Sequence, residues 1–498
     1  MKYYTVLKDL LIKWNFWVVL LFLLPAVVCS QDFDEWKQER EREFQEFQDE
    51  RDIAFLKMLE ESWQAIDSMD PFTEFEEPKI SEVPVADQPY VREPDATRNQ
   101  VDSPAESEIP ADEDEFIHEE FEPLSLSIPE VPSGAQLSSI NFFDSDVEYY
   151  YFPAQSIRLS GLPNQDNLRQ FWQDMSASDY DIYLNRLSFA IDQMNLNDWG
   201  ALKLINQLGE AKYGGPGNHA NLFIWFMMTK LGFDLRVGYN NSNVYVLFAS
   251  DYRITGTRFF IIDGKRYYYL SVNSQKSKPG RLTTYQGSYP NAERFFDLDI
   301  TLLPELTERL EFRELTFFWQ GEEFNVSIPF NTNIIQFYRH FPNTEFQVYT
   351  MASISEATLQ SFQSELGSII EGKSQAEAAE ILLRFVQTAF DYKTDTEQFG
   401  RQKFMLPEEI LYYPYSDCDD RTILYAFLAH NLLDLEVVAL RYPGHLATAI
   451  LLDEEISGDS VQFQGEQYIV ADPTYINASV GMTMPKFRGV SPNIIALF

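Results

Sequence analysis

Between Leu137 and Phe498 the chain carries two series of matching residues at a nearly constant separation, and this limits the fold more than any other feature. Ile140-Asn141-Phe142-Phe143 echoes Leu315-Thr316-Phe317-Phe318. Pro163-Asn164 echoes Pro342-Asn343, and Tyr213 echoes Tyr392, both at an offset of 179. Lys230 to Val237 parallels His430 to Val437 at 200, and Gly264 and Tyr267 match Gly465 and Tyr468 at 201. The offset grows by 21 between Tyr392 and Cys418. The second copy therefore carries a loop there, including Phe399 to Pro414, that the first lacks. A chain patterned this way is expected to fold as two copies of one unit.

Each copy opens on strands, at Ile140 to Phe152 and at Leu315 to Pro329. Helices follow at about Tyr180 to Lys212 and Ser355 to Tyr392, and then a helix begins near 218 or 418. The run Thr422 to Leu433 has helical apolar spacing. Alternating strands close each unit, as in Val244 to Ala249, Leu446 to Leu452 and Gln467 to Ala471. The grammar predicts an α+β unit with an antiparallel sheet.

The residues ahead of the repeat are of another kind. Lys2, Lys8 and Lys13 precede the apolar stretch Phe16 to Val28, with Val28 and Ser30 at the −3 and −1 positions of a cleavage site. Residues 1–30 therefore read as a signal peptide. Residues 31–65 contain no Gly or Pro and read as an amphipathic helical arm. Their stripe of Phe33, Trp36, Phe44, Phe47, Phe55 and Met58 recurs every eleven residues, close to the period of a free helix. A narrow aromatic stripe on a polar helix needs a partner surface: another copy, another envelope protein or the globular body. Residues 66–136 are acidic and Pro-rich, and read as a disordered linker. Units at 137–290 and 355–498, joined by a β-containing segment at 291–354, complete the expected organisation. The net charge of −39 excludes nucleic acid as a partner. After cleavage of the signal, no stable transmembrane span is expected.

Cys29 and Cys418 are the only cysteines. With the leader removed, the exported chain keeps one thiol and can form no internal disulfide. A solitary thiol in an oxidising compartment is an oxidation risk, and nucleophilic catalysis is the leading reason to retain it. Cys418 lies in Tyr-Ser-Asp-Cys-Asp-Asp-Arg at the head of an apolar helical run. A helix N-terminus favours thiolate over thiol. Asp417 or Ser416 is a candidate cap, with Asp419 and Asp420 in the first turn and Arg421 placed to neutralise one of them.

Downstream stand Tyr442-Pro443-Gly444-His445-Leu446-Ala447-Thr448-Ala449 and Tyr468-Ile469-Val470-Ala471-Asp472-Pro473-Thr474-Tyr475. Over roughly Ser355 to Phe498 the chain resembles the transglutaminase-like superfamily of papain-fold cysteine enzymes. Members carry a cysteine opening a helix, a histidine opening the next strand, and an aspartate, often in Asp-Pro-Thr, ending the one after. Ser416 stands where many carry glycine. The resemblance implies two tandem transglutaminase-like (papain-like) α+β units, the first degenerate, and a catalytic triad of Cys418, His445 and Asp472. Cys418 would attack as thiolate, His445 would shuttle the proton, and Asp472 would hold the imidazole. By the offsets, Asn218 replaces Cys418, Tyr245 falls near His445 and Ser271 replaces Asp472, so the first copy should be catalytically dead.

The expected protein is thus a periplasmic or secreted cysteine peptidase or amidase of a Gram-negative envelope, acting on a protein or peptide substrate. An amine acceptor would make it a cross-linker, and a non-catalytic scaffold is the rival. No cofactor is expected. No zinc is expected either, since the exported chain has one cysteine and no close histidine pair. The aromatic residues of the inserted loop, Tyr412, Tyr413 and Tyr415 among them, are expected near Cys418, where they would gate access.

Overall fold

A computed structural model describes residues 50–72, 84–86, 133–152, 156–270, 272 and 279–497. The leader, most of the arm and most of the acidic linker lie outside the described residues. Residues 50–61 form a helix, α1, within an N-terminal unit that ends at Glu61; a second unit spans Ser62–Phe498. Of the arm's aromatic stripe, Phe55 and Met58 fall in α1, and Phe55 is buried.

The helix does not continue to residue 65. Trp63–Asp67 is instead a strand, β1, paired antiparallel with Arg281–Tyr285 (β8). Trp63 packs edge-on against Tyr239 and Tyr285, with ring centroids 5.5 and 5.4 Å away. Helix-compatible composition here gives way to a strand edge and an aromatic pocket that only the distant residues supply. The expected linker is also interrupted, because Pro84 and Ala86 bond to the backbone of Ile476.

The larger unit is α+β with antiparallel sheets. Gln136–Phe142 (β2) and Ser145–Tyr151 (β3) form a hairpin. Gln165–Ser176 (α2), Asp181–Gln193 (α3), Asp198–Tyr213 (α4) and Asn218–Lys230 (α5) follow. Strands Leu235–Tyr239 (β4), Val244–Ala249 (β5), Phe259–Ile262 (β6) and Lys265–Tyr269 (β7) complete a sheet ordered β1-β8-β4-β5-β7-β6. A second hairpin, Leu310–Trp319 (β9) with Glu322–Asn331 (β10), leads to Thr332–Tyr338 (α6), Glu356–Ile370 (α7) and Gln375–Thr388 (α8). Asp391–Tyr392 (β11) pairs in parallel with Tyr415–Ser416 (β12), immediately ahead of Cys418–Leu433 (α9). Strands Val437–Tyr442 (β13), His445–Ile450 (β14), Ser460–Phe463 (β15), Glu466–Ala471 (β16) and Asn493–Ala496 (β17) form a sheet ordered β15-β16-β14-β13-β17.

The two sheets correspond strand for strand: β8-β4-β5-β7-β6 in one matches β17-β13-β14-β16-β15 in the other, and each follows a helix, α5 or α9. Both β6–β7 and β15–β16 turn on a residue pair with positive φ, Asp263-Gly264 and Gln464-Gly465. That geometry suits the twist of a two-residue hairpin and explains the glycine at each second position.

Several expected single elements are pairs. The stretch 140–152 is part of a hairpin because Phe143 and Asp144 both take positive φ. The helix expected at 180–212 breaks where Asn195 turns left-handed and Asn197 caps α4 through its bond from the Gly200 N–H. The helix expected at 355–392 breaks at Gly372, whose φ is +74°, before Ser374 caps α8. Short polar side chains compete locally with helical hydrogen bonds, and a long apolar period hides such stops.

Candidate active site

Cys418 opens α9 because Asp417 halts the preceding strand and caps the helix. Asp417 has extended backbone, and its Oδ1 accepts from the N–H of Asp419 at 3.0 Å and of Asp420 at 3.5 Å. Asp420 Oδ2 reaches back to the Asp417 N–H at 3.1 Å, completing a capping box made of two aspartates. Behind the cysteine, Ile423, Leu424, Tyr425 and Leu428 are fully buried, and the Tyr425 hydroxyl donates to Ala379 O at 3.3 Å, fixing α9 against α8. Cys418 itself is only 1% exposed.

His445 follows the Pro443-Gly444 turn and is the first residue of β14, opposite Tyr442. Asp472 directly follows β16, which pairs with β14 through Thr448↔Ala471. This pairing brings His445 Nε2 within 2.9 Å of Asp472 Oδ2. The other carboxylate oxygen, Oδ1, accepts from the N–H of Thr474 at 3.0 Å and of Tyr475 at 3.1 Å. The Phe487 ring lies parallel to the imidazole, 5.2 Å away and tilted by 5°. Gln387 Nε2 donates to the carbonyls of Asp472, Tyr475 and Ala478, which clamps the loop that carries the aspartate.

The histidine's second nitrogen, Nδ1, is buried and makes no hydrogen bond. The Cys418 thiol bonds instead to Asp419 Oδ1 at 3.4 Å, so no hydrogen bond joins Cys418 to His445. The thiol does border β14: the Leu446 N–H acts on it, and Thr422 Oγ1, one turn along α9, donates to Leu446 O at 3.4 Å. Histidine and aspartate are therefore coupled, and the cysteine sits alongside without closing the pair.

The electrostatics differ from what the helix terminus alone implies. Burial, then the carboxylates of Asp419 and Asp417, push the Cys418 thiol well above its ordinary value, while the Leu446 N–H acts the other way. The thiol is neutral here because desolvation and like charge outweigh the helix dipole. Arg421 does not neutralise Asp419 or Asp420 by an ion pair. Its guanidinium donates to Ser416 Oγ at 3.2 Å, Gln387 O at 3.3 Å and Phe390 O at 2.7 Å.

Asp395 also joins this acidic group, a residue that spacing around the cysteine did not reveal. Burial and mutual repulsion raise the carboxyls of Asp395, Asp417 and Asp420, and Asp419 is pushed up to about 7. The inserted loop supplies part of the compensation. Its Lys403 N–H donates to Asp395 Oδ2 at 2.8 Å and its Met405 N–H to Asp420 Oδ1 at 3.0 Å. The Lys403 ammonium is held by Glu409 at 2.8 Å. Asp417, Cys418 and Asp419 offer ligand atoms within 4.8 Å of one another, as do Asp395, Asp417 and Asp420, and of the two groups only the second, all carboxylate, could hold a hard cation.

The aromatic loop packs on the segment before it and on itself. Phe404 lies edge-on to Phe346 and Tyr349, Tyr412 to Phe330, and Tyr413 to Phe399. Arg313 fastens it by donating to the carbonyls of Ile410 and Leu411. Tyr392, outside the trio expected to gate the thiol, also feels its charge. The β11–β12 register sets it opposite Ser416, and its hydroxyl is buried with no hydrogen-bond partner. Burial, Cys418 and Asp417 keep that phenol neutral.

In the first sheet, the place of Cys418 is held by Asn218, whose Oδ1 accepts from Val244 N at 2.8 Å and whose Nδ2 donates to Ser242 O at 2.8 Å. The pairings Phe248↔Tyr268 and Ile450↔Ile469 align β5 with β14 and put Asn243, rather than Tyr245, in the position of His445. The pairings Leu235↔Phe248 and Val437↔Ile450 show β4 shifted by the same two residues, so the slip arises ahead of β4. Ser271 lies outside the described residues. His430 is structural, its Nδ1 facing Leu435 O at 3.4 Å. No protein-family model, curated protein or solved structure matches this chain.

Proposed function

We propose that the chain is an exported transglutaminase-like cysteine hydrolase, built as two tandem copies of one papain-like unit, in which only the second keeps a nucleophile. The single observation that carries this reading is the buried His445–Asp472 pair with Nδ1 left unpartnered beside the helix headed by Cys418. Because Asp472 accepts the Nε2 proton, Nδ1 becomes the basic nitrogen, the one needed to take a proton from sulfur. The equal strand order of the two sheets supports the duplication.

The chemistry is acyl transfer. His445 Nδ1 takes the thiol proton as Cys418 Sγ attacks the carbonyl carbon of a peptide or amide. The carbonyl oxygen gathers the charge, and the Cys418 N–H and the Tyr392 hydroxyl are donors suited to receive it. His445 then returns its proton to the leaving amine, the C–N bond breaks and a thioester remains. Water, deprotonated by the same imidazole, releases the acid and restores the thiol. The resting thiol is protonated, so reaction begins when the sulfur and Nδ1 come within hydrogen-bond reach. An amine in place of water would give cross-linking.

A non-catalytic envelope scaffold is the second reading, favoured by the buried neutral thiol and the missing Cys418–His445 bond. The test is a carbonyl-directed cysteine probe, such as a peptide acyloxymethyl ketone, applied to wild type and to His445→Ala. Labelling of Cys418 that depends on His445 supports the enzyme. Equal labelling of both, with no hydrolysis of any protein substrate, supports the scaffold.

A further inference from the structure

The short segment 84–86 is docked in a way that the linker composition does not predict. Ala86 N–H donates to Ile476 O at 2.8 Å, and Ile476 N–H donates to Pro84 O at 3.0 Å. Val85 and Ile476 form a parallel bridge. The side chains alternate as in a strand: Val85 is 50% exposed and Ala86 only 2%. Ala86 enters the buried cluster that contains Tyr442, Tyr475, Met484 and Phe487. Tyr442 and Phe487 stack on one another at 4.6 Å, and Phe487 stacks on His445. Ile476 belongs to the loop whose Asp472 binds that imidazole.

From this we infer that the groove along Ile476 is a peptide-docking subsite. Its ligand is an extended segment that pairs in parallel with Ile476 and seats one small apolar side chain among Tyr442, Tyr475, Met484 and Phe487. Residues 84–86 are its resident intramolecular occupant. Main-chain hydrogen bonds provide the grip and one side-chain pocket the selectivity, as in recognition by strand addition. Two hydrogen bonds and one buried methyl are a small interface, and tethering favours it by making the pairing intramolecular. A peptide strand in this groove would run beside the His445–Asp472 pair. The inference rests on the docked segment alone and does not require Cys418 to be a nucleophile.

The test uses the full chain and a fluorescein-labelled peptide with the sequence of residues 80–90, read by anisotropy. Ala86→Glu places a charge in the apolar pocket and should empty the groove. The peptide should then bind this variant at least tenfold more tightly than it binds wild type, and a scrambled peptide should not bind. Ala86→Pro, which removes the N–H donor to Ile476, should behave alike. Val85→Lys alters an exposed side chain and should match wild type. Failure of the peptide to bind either Ala86 variant, with thermal unfolding still cooperative, makes the contact a fixed anchor and overturns the inference. Loss of folding in both variants also overturns it, because an exchangeable occupant cannot be essential to the fold.

Discussion

Asn218 Oδ1 accepts a hydrogen bond from the Val244 N–H at 2.8 Å, tying the head of α5 to the first residue of β5. In the other sheet, the residue heading the corresponding helix is Cys418, whose thiol borders the Leu446 N–H on β14. One position thus joins helix to strand in both halves. A carboxamide fills it as a staple with both ends bonded, whereas the thiol bonds to Asp419 Oδ1.

Asn218→Ala should therefore lower the stability of the chain by about 1–3 kcal/mol, because the Val244 N–H loses its acceptor and the Ser242 carbonyl its donor. Chemical denaturation measures this. The Cys418 alkylation rate should be unchanged. Asn218→Cys should not confer hydrolysis, since Asn243 stands where an imidazole is needed.

Asp472→Asn should reduce hydrolysis by roughly 10³–10⁴-fold, by analogy with the loss of the orienting carboxylate in serine triads. The amide can hold Nε2 unprotonated through its NH₂, which moves the proton to Nδ1 and removes the base. Turnover of a peptide substrate measures the loss, and an unchanged rate would exclude His445 as the general base.

Tyr392→Phe should leave thermal unfolding unchanged or slightly improved, because the buried hydroxyl has no partner to lose. Turnover should fall by about 10²–10³-fold with little change in KM if the phenol stabilises the oxyanion. Alkylation by iodoacetamide, which forms no oxyanion, should be unaffected. A parallel loss of both reactions would assign Tyr392 a structural role.

The acidic cluster makes stability depend on pH in a defined direction. The Asp419 carboxyl is raised from 3.8 to about 7, so between those values the folded state holds a proton that the unfolded state has lost. Its contribution is present in full below pH 4 and is lost as pH rises to about 7. Asp395, Asp417 and Asp420 shift in the same direction. Denaturation midpoints measured with chelator present should fall across this range, and Asp419→Asn should flatten the slope. The same variant should speed alkylation of Cys418 at pH 8, because a carboxylate that opposes the thiolate is gone. A slower reaction would show that Asp419 does not restrain the thiol.

The sequence by itself determined the features that act over a few residues. Asp417 before Cys418, with Asp420 three residues on, specifies the start of α9, because a cap needs only a nearby carboxylate and free N–H groups. The repeated Gly264 and Gly465 mark two hairpins, because positive φ disfavours a β-carbon. Alternating apolar patterns gave the strands around His445 and Asp472. Tertiary structure decided the rest. Trp63 leaves a helical pattern for a strand because it pairs with the β8 edge and packs on the rings of Tyr239 and Tyr285, partners distant in chain order. Asp395 joins the carboxylates at Cys418, and Ala86 reaches the cluster beside His445, through folding alone. The state of the thiol followed from that assembly. The dipole at a helix terminus is a local property, but burial and the proximity of other charges depend on every element packed around the group, and here those non-local terms prevail.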